Sequence, residues 1–396
     1  MEIKQINILW DHSHIWGLLA WKGLTSLGFN CRLLKANEIT QASVLGKSND
    51  ALLVPGGNAR YKAKALGEEG LKAIRRWIYG GGQYIGFCGG AGLGLTQNNR
   101  ESLGLCPWSR AAFPERIFHM LSGYVWAKSE TGERLKLPVW WPGRFDRRSE
   151  AGIRIIARYF EPDEELLLDD RPINGLTSEQ YFPFGEPVII SGNFGKGTYM
   201  LSYAHLETPE SPDANLLLMR ALGRTGQHTA SAWQQPQFKS DYAAKETLAN
   251  LDAESALEKL FLRMNRLMKL GEKAGLFFKR NSWLMGWRSG MPGMACNNLF
   301  AALAQATSLE LSSSAYDFWR AGQEQFLKKF QYFFQEAEKF MTHSSSLLSM
   351  AKELKGESRH RDDLFGHSMF GGGLIEELIR FTEEIIYLSQ TYSMSH

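Results

Sequence analysis

The stretch GQYIGFCGGAG, residues 82–92, decides the fold of this chain. Tyr, Ile and Phe in its first half predict a short buried strand over residues 83–87. The glycines that follow permit a sharp turn into a helix, and Cys88 stands in that turn. A strand, a strained turn with a nucleophilic side chain and a helix together form a nucleophile elbow. This stretch alone leaves two interpretations open, a reactive Cys88 and a buried, inert one.

A sulfur in such a turn points at the amino end of the following helix, where the dipole and the free N–H groups favour a thiolate. The residues that would complete its chemistry come far downstream. The stretch GTYMLSYAHLE, residues 197–207, predicts a strand that ends in His-x-Glu. A thiol nucleophile needs a base, and the base needs a carboxylate that fixes its orientation. His205 and Glu207 are of the right types, although a histidine at a strand end is more often structural.

A third stretch, ALLVPGG at residues 51–57, predicts a buried strand that runs into a Pro-Gly-Gly turn. The backbone N–H groups of Gly56 and Gly57 can approach a developing oxyanion because no side chain obstructs them. An ordinary tight turn after a strand is the alternative. The turn precedes the elbow by about one helix and one strand, which favours the oxyanion interpretation.

Strands alternate with helices in the first part of the chain, which predicts parallel pairing with right-handed crossovers. Ligands of such sheets bind beyond the carboxyl ends of the strands. Asp11, His12, the Pro-Gly-Gly turn and Cys88 all follow predicted strands, so we expect them at one site. The predicted elements are strands at 6–10, 29–34, 51–54 and 83–87 and helices at 15–27 and 62–79.

The middle of the chain, residues 100–190, is rich in Pro, Gly, Trp and Arg, which predicts short strands and loops. Residues 188–191 and 198–202 predict a hairpin whose second arm delivers His205. A helix at 215–222 is expected to close a domain over residues 1–225.

Residues 226–245 are polar and aperiodic, which predicts a linker. Beyond them, apolar residues recur at intervals of three and four over residues 246–396, which predicts an all-α domain of three to five helices. The aromatic stripe at 326–340 is expected to be core. A groove that docks a protein partner is the alternative interpretation.

The composition excludes several classes of protein. Lys and Arg number 45 and Asp and Glu number 42, so the formal charge of +3 does not favour nucleic acid or an anionic membrane as a partner. Four scattered cysteines show no metal-binding spacing, so neither metal nor cofactor is predicted. The sparse cysteines and the lack of a signal peptide or an apolar span predict a cytoplasmic protein.

Residues 51–57, 71–95 and 195–219 resemble the class I glutamine amidotransferase-like superfamily, and most closely its biotin-protein ligase N-terminal domain-like branch. The resemblance covers about residues 3–225 and implies a flavodoxin-like, doubly wound, mostly parallel sheet. It also implies a catalytic triad and an oxyanion hole. The implied triad is Cys88, His205 and Glu207, and the implied oxyanion hole is Gly56, Gly57 and Gly89.

One residue departs from the pattern of the glutamine-hydrolysing members. They usually carry Gln four positions after the nucleophile, and this chain has Gly92 there. Glutamine as the substrate is therefore in doubt, while the nucleophile machinery is intact. Asp11, His12, Asn58 and Gly92 are the predicted substrate contacts.

Two functions of different class remain. The first is a cysteine hydrolase or amidotransferase-like enzyme that acts on a small amide-type substrate through the triad. No nucleotide-binding motif follows, so either an acceptor for released ammonia is a separate protein or the ammonia is simply released. The second is a catalytically silent fold that serves as a binding or regulatory module, with the C-terminal helices docking a partner. A biotin-ligase activity is not supported, because residues 246–396 lack the residues of that catalytic domain.

Overall fold

The computed structural model describes residues 3–46, 50–96, 101–111, 121–147, 152–168, 176–225, 228–231, 251–281, 283–287, 292–347, 355–367 and 371–393. The chain divides into two compact units, Met1–Trp233 and Gln234–His396. The predicted linker at 226–245 lies outside the described residues except for 228–231.

The first unit contains a large sheet, with helices and two short 3-10 helices at Ala36–Glu38 and Ala42–Leu45. Its strands are β1 (Ile6–Leu9), β2 (Cys31–Leu34), β3 (Ala51–Val54), β4 (Gln83–Phe87), β5 (Ser109–Arg110), β6 (Leu121–Ser129), β7 (Arg134–Trp140), β8 (Phe145–Asp146), β9 (Ile153–Pro162), β10 (Leu167–Leu168), β11 (Pro187–Phe194) and β12 (Gly197–Ser202). Its helices are α1 (Ile15–Ser26), α2 (Ala59–Tyr79), α3 (Gly89–Gly94), α4 (Ser178–Tyr181) and α5 (Pro212–Ala221).

The strands of the large sheet follow the order β10-β6-β9-β11-β12-β4-β3-β1-β2, with β7 paired to β6. The five strands from β12 to β2 are parallel, as the alternation of strands and helices predicts. The α/β class is thereby confirmed. From β12 outward every pairing is antiparallel, so the sheet is mixed. The predicted hairpin is β11 and β12, and it joins the two parts.

The middle of the chain is more regular than its sequence predicts. Strands β6, β7 and β9 run for 9, 7 and 10 residues in a region where we expected short strands and loops. Two register shifts place an extra residue on β9, at Ile156 and Phe160, and one places an extra residue on β11, at Val188. These shifts break the two-residue alternation that identifies strands. That prediction was therefore wrong, because the bulges hid the pattern.

The parallel strands β1 and β3 are completely buried, which explains why their sequences are continuous apolar runs. Helix α2 covers one side of them with Ile74 and Ile78, both fully buried. Burial of an aliphatic side chain of this size contributes about 1.5–3 kcal/mol. Helix α2 begins at Ala59, earlier than the predicted 62, because the side chain of Asn58 accepts hydrogen bonds from the N–H groups of the first turn.

The second unit consists of five described helices and one short hairpin. The helices are α6 (Ala253–Lys273), α7 (Pro292–Ala306), α8 (Ser313–Leu347), α9 (Lys355–Phe365) and α10 (Gly373–Ser393), and the hairpin is β13 (Phe277–Lys279) with β14 (Met285–Trp287). Phe326, Phe330 and Phe333 of the predicted aromatic stripe are at most 3% exposed, and Phe381 of α10 stacks on Phe326. The interpretation of the stripe as core is confirmed. Within the described part of the chain, no helix is both long and apolar enough to cross a membrane.

Candidate active site

Cys88 lies in a strained turn between β4 and α3. Its φ of 46° and ψ of −101° are unusual for a residue with a side chain. The turn is held at both ends, because the Cys88 N–H donates to Ser202 O at 2.8 Å and the Gly92 N–H donates to Cys88 O at 2.9 Å. Backbone strain of this kind is typical of functional sites. The predicted strand, turn and helix are all present.

The glycines around Cys88 are there because neighbouring backbone approaches them closely. A Cβ atom at Gly86 would lie 2.5 Å from Gly90 O, and one at Gly90 would lie 1.9 Å from Val54 O. A Cβ at Gly89 would lie 1.9 Å from Gly57 O. Only glycine fits these positions, so the small residues of the motif bring the elbow into contact with the end of β3.

His205 and Glu207 form a buried pair just after β12. The His205 Nδ1 and Glu207 Oε1 atoms are 2.7 Å apart, and the two side chains are 1% and 0% exposed. The loop that carries them is fixed by backbone contacts: the His205 N–H donates to Pro138 O at 2.9 Å. The Asn215 amide of α5 donates to Leu206 O and Thr208 O. Asn215 is a support that the sequence did not reveal.

The charge state of His205 follows from its surroundings. Burial lowers the pKa of the ring, but the Glu207 carboxylate and the adjacent Cys88 side chain raise it more, to about 10. The ring therefore carries a proton at neutral pH. Because Glu207 occupies Nδ1, Nε2 is the ring nitrogen that can give up or take a proton, and it makes no formed hydrogen bond among the described residues. Cys88 is close enough to raise the pKa of the ring, both as a hydrogen-bonding group and through its charge.

The Pro-Gly-Gly turn lies directly beside the elbow. The backbone nitrogen of Gly57 is 3.3 Å from the position that a Cβ on Gly89 would take. Gly57 has a φ of 106°, which favours glycine, and Gly56 packs against the rings of His205 and Trp16. In the described part of the chain, no backbone carbonyl outside regular elements accepts from the N–H of Gly57 or Gly89. The backbone of Gly57 therefore lies against that of Gly89, the residue after Cys88.

The four predicted substrate contacts lie around this turn, and each of them makes contacts within the protein. The Asp11 carboxylate accepts from the Ala36 N–H at 2.6 Å, and Asn58 caps α2. The backbone oxygen of His12 lies 2.1 Å from where a Cβ on Gly57 would be. Gly92 lies in α3, buried among neighbours. Their role toward a substrate stays a prediction.

Aromatic side chains that the sequence did not single out lie beside the predicted triad. The ring of Trp16 is 4.5 Å from that of His205, and the ring of Trp141 is 6.3 Å from that of Trp16. Trp141 has a φ of 52°, so its backbone is strained as that of Cys88 is. The Trp-Trp-Pro-Gly run at 140–143 was the available signal, since tryptophan pairs before Pro-Gly are unusual in a plain connection.

Two buried tyrosines lie within electrostatic range of Cys88. Burial raises the pKa of Tyr203 and of Tyr159, and the Cys88 charge raises both further. Tyr203 is 1% exposed, and its hydroxyl has no hydrogen-bond partner among the described residues. The part of the molecule that is described holds no group of three His, Cys, Asp or Glu that could bind a metal ion.

A family model described as biotin-protein ligase, N terminal, matches residues 34–99. The predicted resemblance is confirmed over these residues, which contain Gly57 and Cys88 and end before His205 and Glu207. No curated protein sequence matches the chain.

Several solved structures are similar to part of the chain. A glutamine amidotransferase is 18% identical, with 55% of this chain and 99% of that chain covered and a TM-score of 0.39. A GMP synthase component from Thermoplasma acidophilum is 13% identical, with 56% and 94% covered and a TM-score of 0.36. A β-galactosidase from Bacillus circulans is 12% identical, with 56% and 30% covered and a TM-score of 0.35. Identities this low carry no information about substrate or activity.

Proposed function

We propose that the protein is a cysteine-dependent enzyme that acts on an amide or a related carbonyl compound. Cys88 is the nucleophile, His205 moves the proton, and Glu207 orients His205. The observation that carries the proposal is the buried His205–Glu207 pair beside the elbow. The Glu207 carboxylate binds Nδ1 of the ring at 2.7 Å, so Nε2 is the nitrogen that can exchange a proton with the sulfur or the substrate. A silent fold has no physical need to bury an imidazole, a carboxylate and a strained cysteine together.

The reaction begins from an imidazolium beside the sulfur, because the pKa of His205 is about 10. The sulfur attacks the carbonyl carbon, a C–S bond forms, and an electron pair moves onto the carbonyl oxygen. The N–H groups of Gly57 and Gly89 stabilise that oxyanion, at about 3–4 kcal/mol per donor in comparable sites. When the intermediate collapses, the leaving nitrogen or oxygen takes its proton from Nε2 of His205.

The thioester that remains is hydrolysed by water. His205 accepts a proton from the water as the hydroxide attacks, the carboxylic acid is released, and the proton stays on the cysteine–histidine pair. Each turnover thus consumes one water and regenerates the starting state. No cofactor is needed for this sequence of steps.

The proposed substrate class is a small amide or related carbonyl compound and not glutamine in particular. The position where glutamine-hydrolysing relatives carry Gln is Gly92, and a Cβ there would contact only Ala59, at 3.5 Å. Gly92 is also the observation that favours the second candidate, a silent binding module. In that case a protein partner would dock on the second unit through faces other than the aromatic stripe, which is buried.

Alkylation of the folded protein with iodoacetamide, followed against pH, tests the proposal. Cys88 is the accessible cysteine of the four, because Cys31, Cys106 and Cys296 are buried and burial raises the pKa of each thiol. We expect Cys88 to react at pH 6 about tenfold or more faster than a cysteine in an unstructured peptide.

The rate advantage should disappear in His205→Gln and persist in His228→Gln, a matched control at an exposed histidine. Cys88→Ser identifies the signal as that of Cys88. A Cys88 that reacts no faster than the peptide thiol, or equally fast in His205→Gln, would reject the catalytic role and favour the silent module. A screen of small amides and esters then identifies the substrate.

A further inference from the structure

Lys62 is a completely buried lysine in the first unit. Its side chain is 0% exposed although it lies one turn into α2, and the sequence indicates only an ordinary helix lysine. Lysine is almost never fully buried without partners, because removal of an ammonium from water is costly. A cation near a helix amino terminus is also opposed by the helix dipole. Because both burial and the helix dipole disfavour a charged Lys62, other contacts must compensate for them.

The Lys62 ammonium binds the loop that follows β1. Its Nζ donates to Asp11 O at 3.0 Å and to Ser13 Oγ, and Ser13 in turn donates to Leu9 O at 2.7 Å. His12 and His14 in this loop have φ values of 53° and 49°, so the backbone is strained on both sides of Ser13. The ammonium therefore holds a loop that does not adopt its conformation by local preference.

The same loop and Lys62 both lie close to Gly57 of the Pro-Gly-Gly turn. The backbone oxygen of His12 lies 2.1 Å, and the Lys62 Cε 3.5 Å, from the position that a Cβ on Gly57 would take. The loop and the lysine stem thus both lie against the side of Gly57 where a side chain would stand. Its N–H is one of the two donors assigned to the oxyanion.

From these contacts we propose that Lys62 is a positioning residue for the oxyanion hole. It locks the loop of residues 11–14 against Gly57, so that the Gly57 N–H points at the oxyanion. The inference rests on the proposed function, because it assigns a role only in carbonyl chemistry at Cys88. It predicts a defect confined to reactions that form an oxyanion.

Two reagents separate this defect from general damage to the site. p-Nitrophenyl acetate acylates the Cys88 sulfur through an oxyanion: a C–S bond forms, the ester C–O bond breaks, and p-nitrophenolate leaves. Iodoacetamide alkylates the same sulfur by displacement of iodide, with no oxyanion. The rate measured with Cys88→Ser is subtracted from each, and the ratio of acylation to alkylation is compared between variants of the full chain.

We expect Lys62→Met to lower the acylation rate about 10- to 100-fold while the alkylation rate stays within twofold of wild type. Lys62→Arg should restore part of the acylation, because guanidinium keeps the charge and the donors. Lys64→Met, which removes an exposed lysine from the same helix, should change neither rate. If Lys62→Met does not fold, Ser13→Ala removes one acceptor of the ammonium and should lower the same ratio by a smaller factor.

These rates distinguish a failure of this inference from a failure of the proposed function. An unchanged ratio in Lys62→Met, or in Ser13→Ala where Lys62→Met does not fold, would overturn this inference and leave the proposed function standing. Equal losses in both rates would also overturn it, because they indicate a structural role alone. Wild-type Cys88 that acylates no faster than a free thiol would overturn the proposed function and this inference with it.

Discussion

Replacing Glu207 with Gln keeps the shape of the side chain and removes its charge, so it isolates the electrostatic part of the buried pair. Glu207 raises the pKa of His205 against the effect of burial, and the Cys88 side chain adds to it, with a net value of about 10 in place of the ordinary 6.5. That difference corresponds to roughly 5 kcal/mol of preference for the charged ring. In Glu207→Gln the burial effect dominates, and we expect the pKa of His205 to fall below 6.5.

The substitution should also reverse the way stability depends on pH. In the wild type the pKa of His205 is raised in the folded state, so its contribution is complete below about pH 6.5 and is lost as the pH rises through 10. In Glu207→Gln the folded-state pKa is depressed, so the contribution is present above pH 6.5 and is lost as the pH falls. The wild type should therefore lose this stability as the pH rises above neutral, and Glu207→Gln should lose it as the pH falls below neutral.

NMR titration of the His205 ring gives the pKa directly, and the melting temperature against pH gives the linked stability. Glu179→Gln is the control for the loss of an exposed carboxylate, and it should shift neither measurement. A wild-type His205 that titrates near 6.5 would refute the reasoning. So would a titration that Glu207→Gln leaves unchanged.

Gly89→Ala should abolish acylation of Cys88 and lower the melting temperature, because its Cβ would lie 1.9 Å from Gly57 O; normal acylation in this variant would contradict the assigned oxyanion hole. Gly92→Ala should be neutral or stabilising by about 0.4–1 kcal/mol in thermal unfolding, because the nearest atom to its Cβ is Ala59 Cβ at 3.5 Å and the helix accommodates alanine. Phe330→Ala should destabilise the second unit by about 3–5 kcal/mol in urea unfolding, because the ring is 0% exposed; a loss below about 1 kcal/mol would mean that this aromatic stripe is not core.

The sequence alone predicted the elements that depend on local chemistry. The glycine turn at Cys88 and the parallel strands β1, β3 and β4 all appear where expected, because strands buried on both faces are unbroken apolar runs. The glycines at 86, 89 and 90 were equally visible in the sequence, since backbone contact excludes any side chain there. A constraint on the backbone at one position thus shows in the residue type at that position.

The antiparallel half of the sheet had no such signature. Strands β6 and β9 face solvent on one side, so charged residues such as Lys128 and Arg158 interrupt their apolar character. Two register shifts, at Ile156 and Phe160, then break the alternation along β9. Strand pairing over tens of residues overrode weak local preference, and only the folded sheet shows it.

The residue types of the site could be predicted from the sequence, but their pKa values and burial could not. The sequence supplies a thiol, an imidazole and a carboxylate, and it marks where the glycines must be. The raised pKa of His205 and the burial of Lys62 were decided by tertiary structure alone. Charge and burial depend on what surrounds a side chain, and the partners of Lys62, Ser13 and Asp11, lie 49 and 51 positions earlier in the chain.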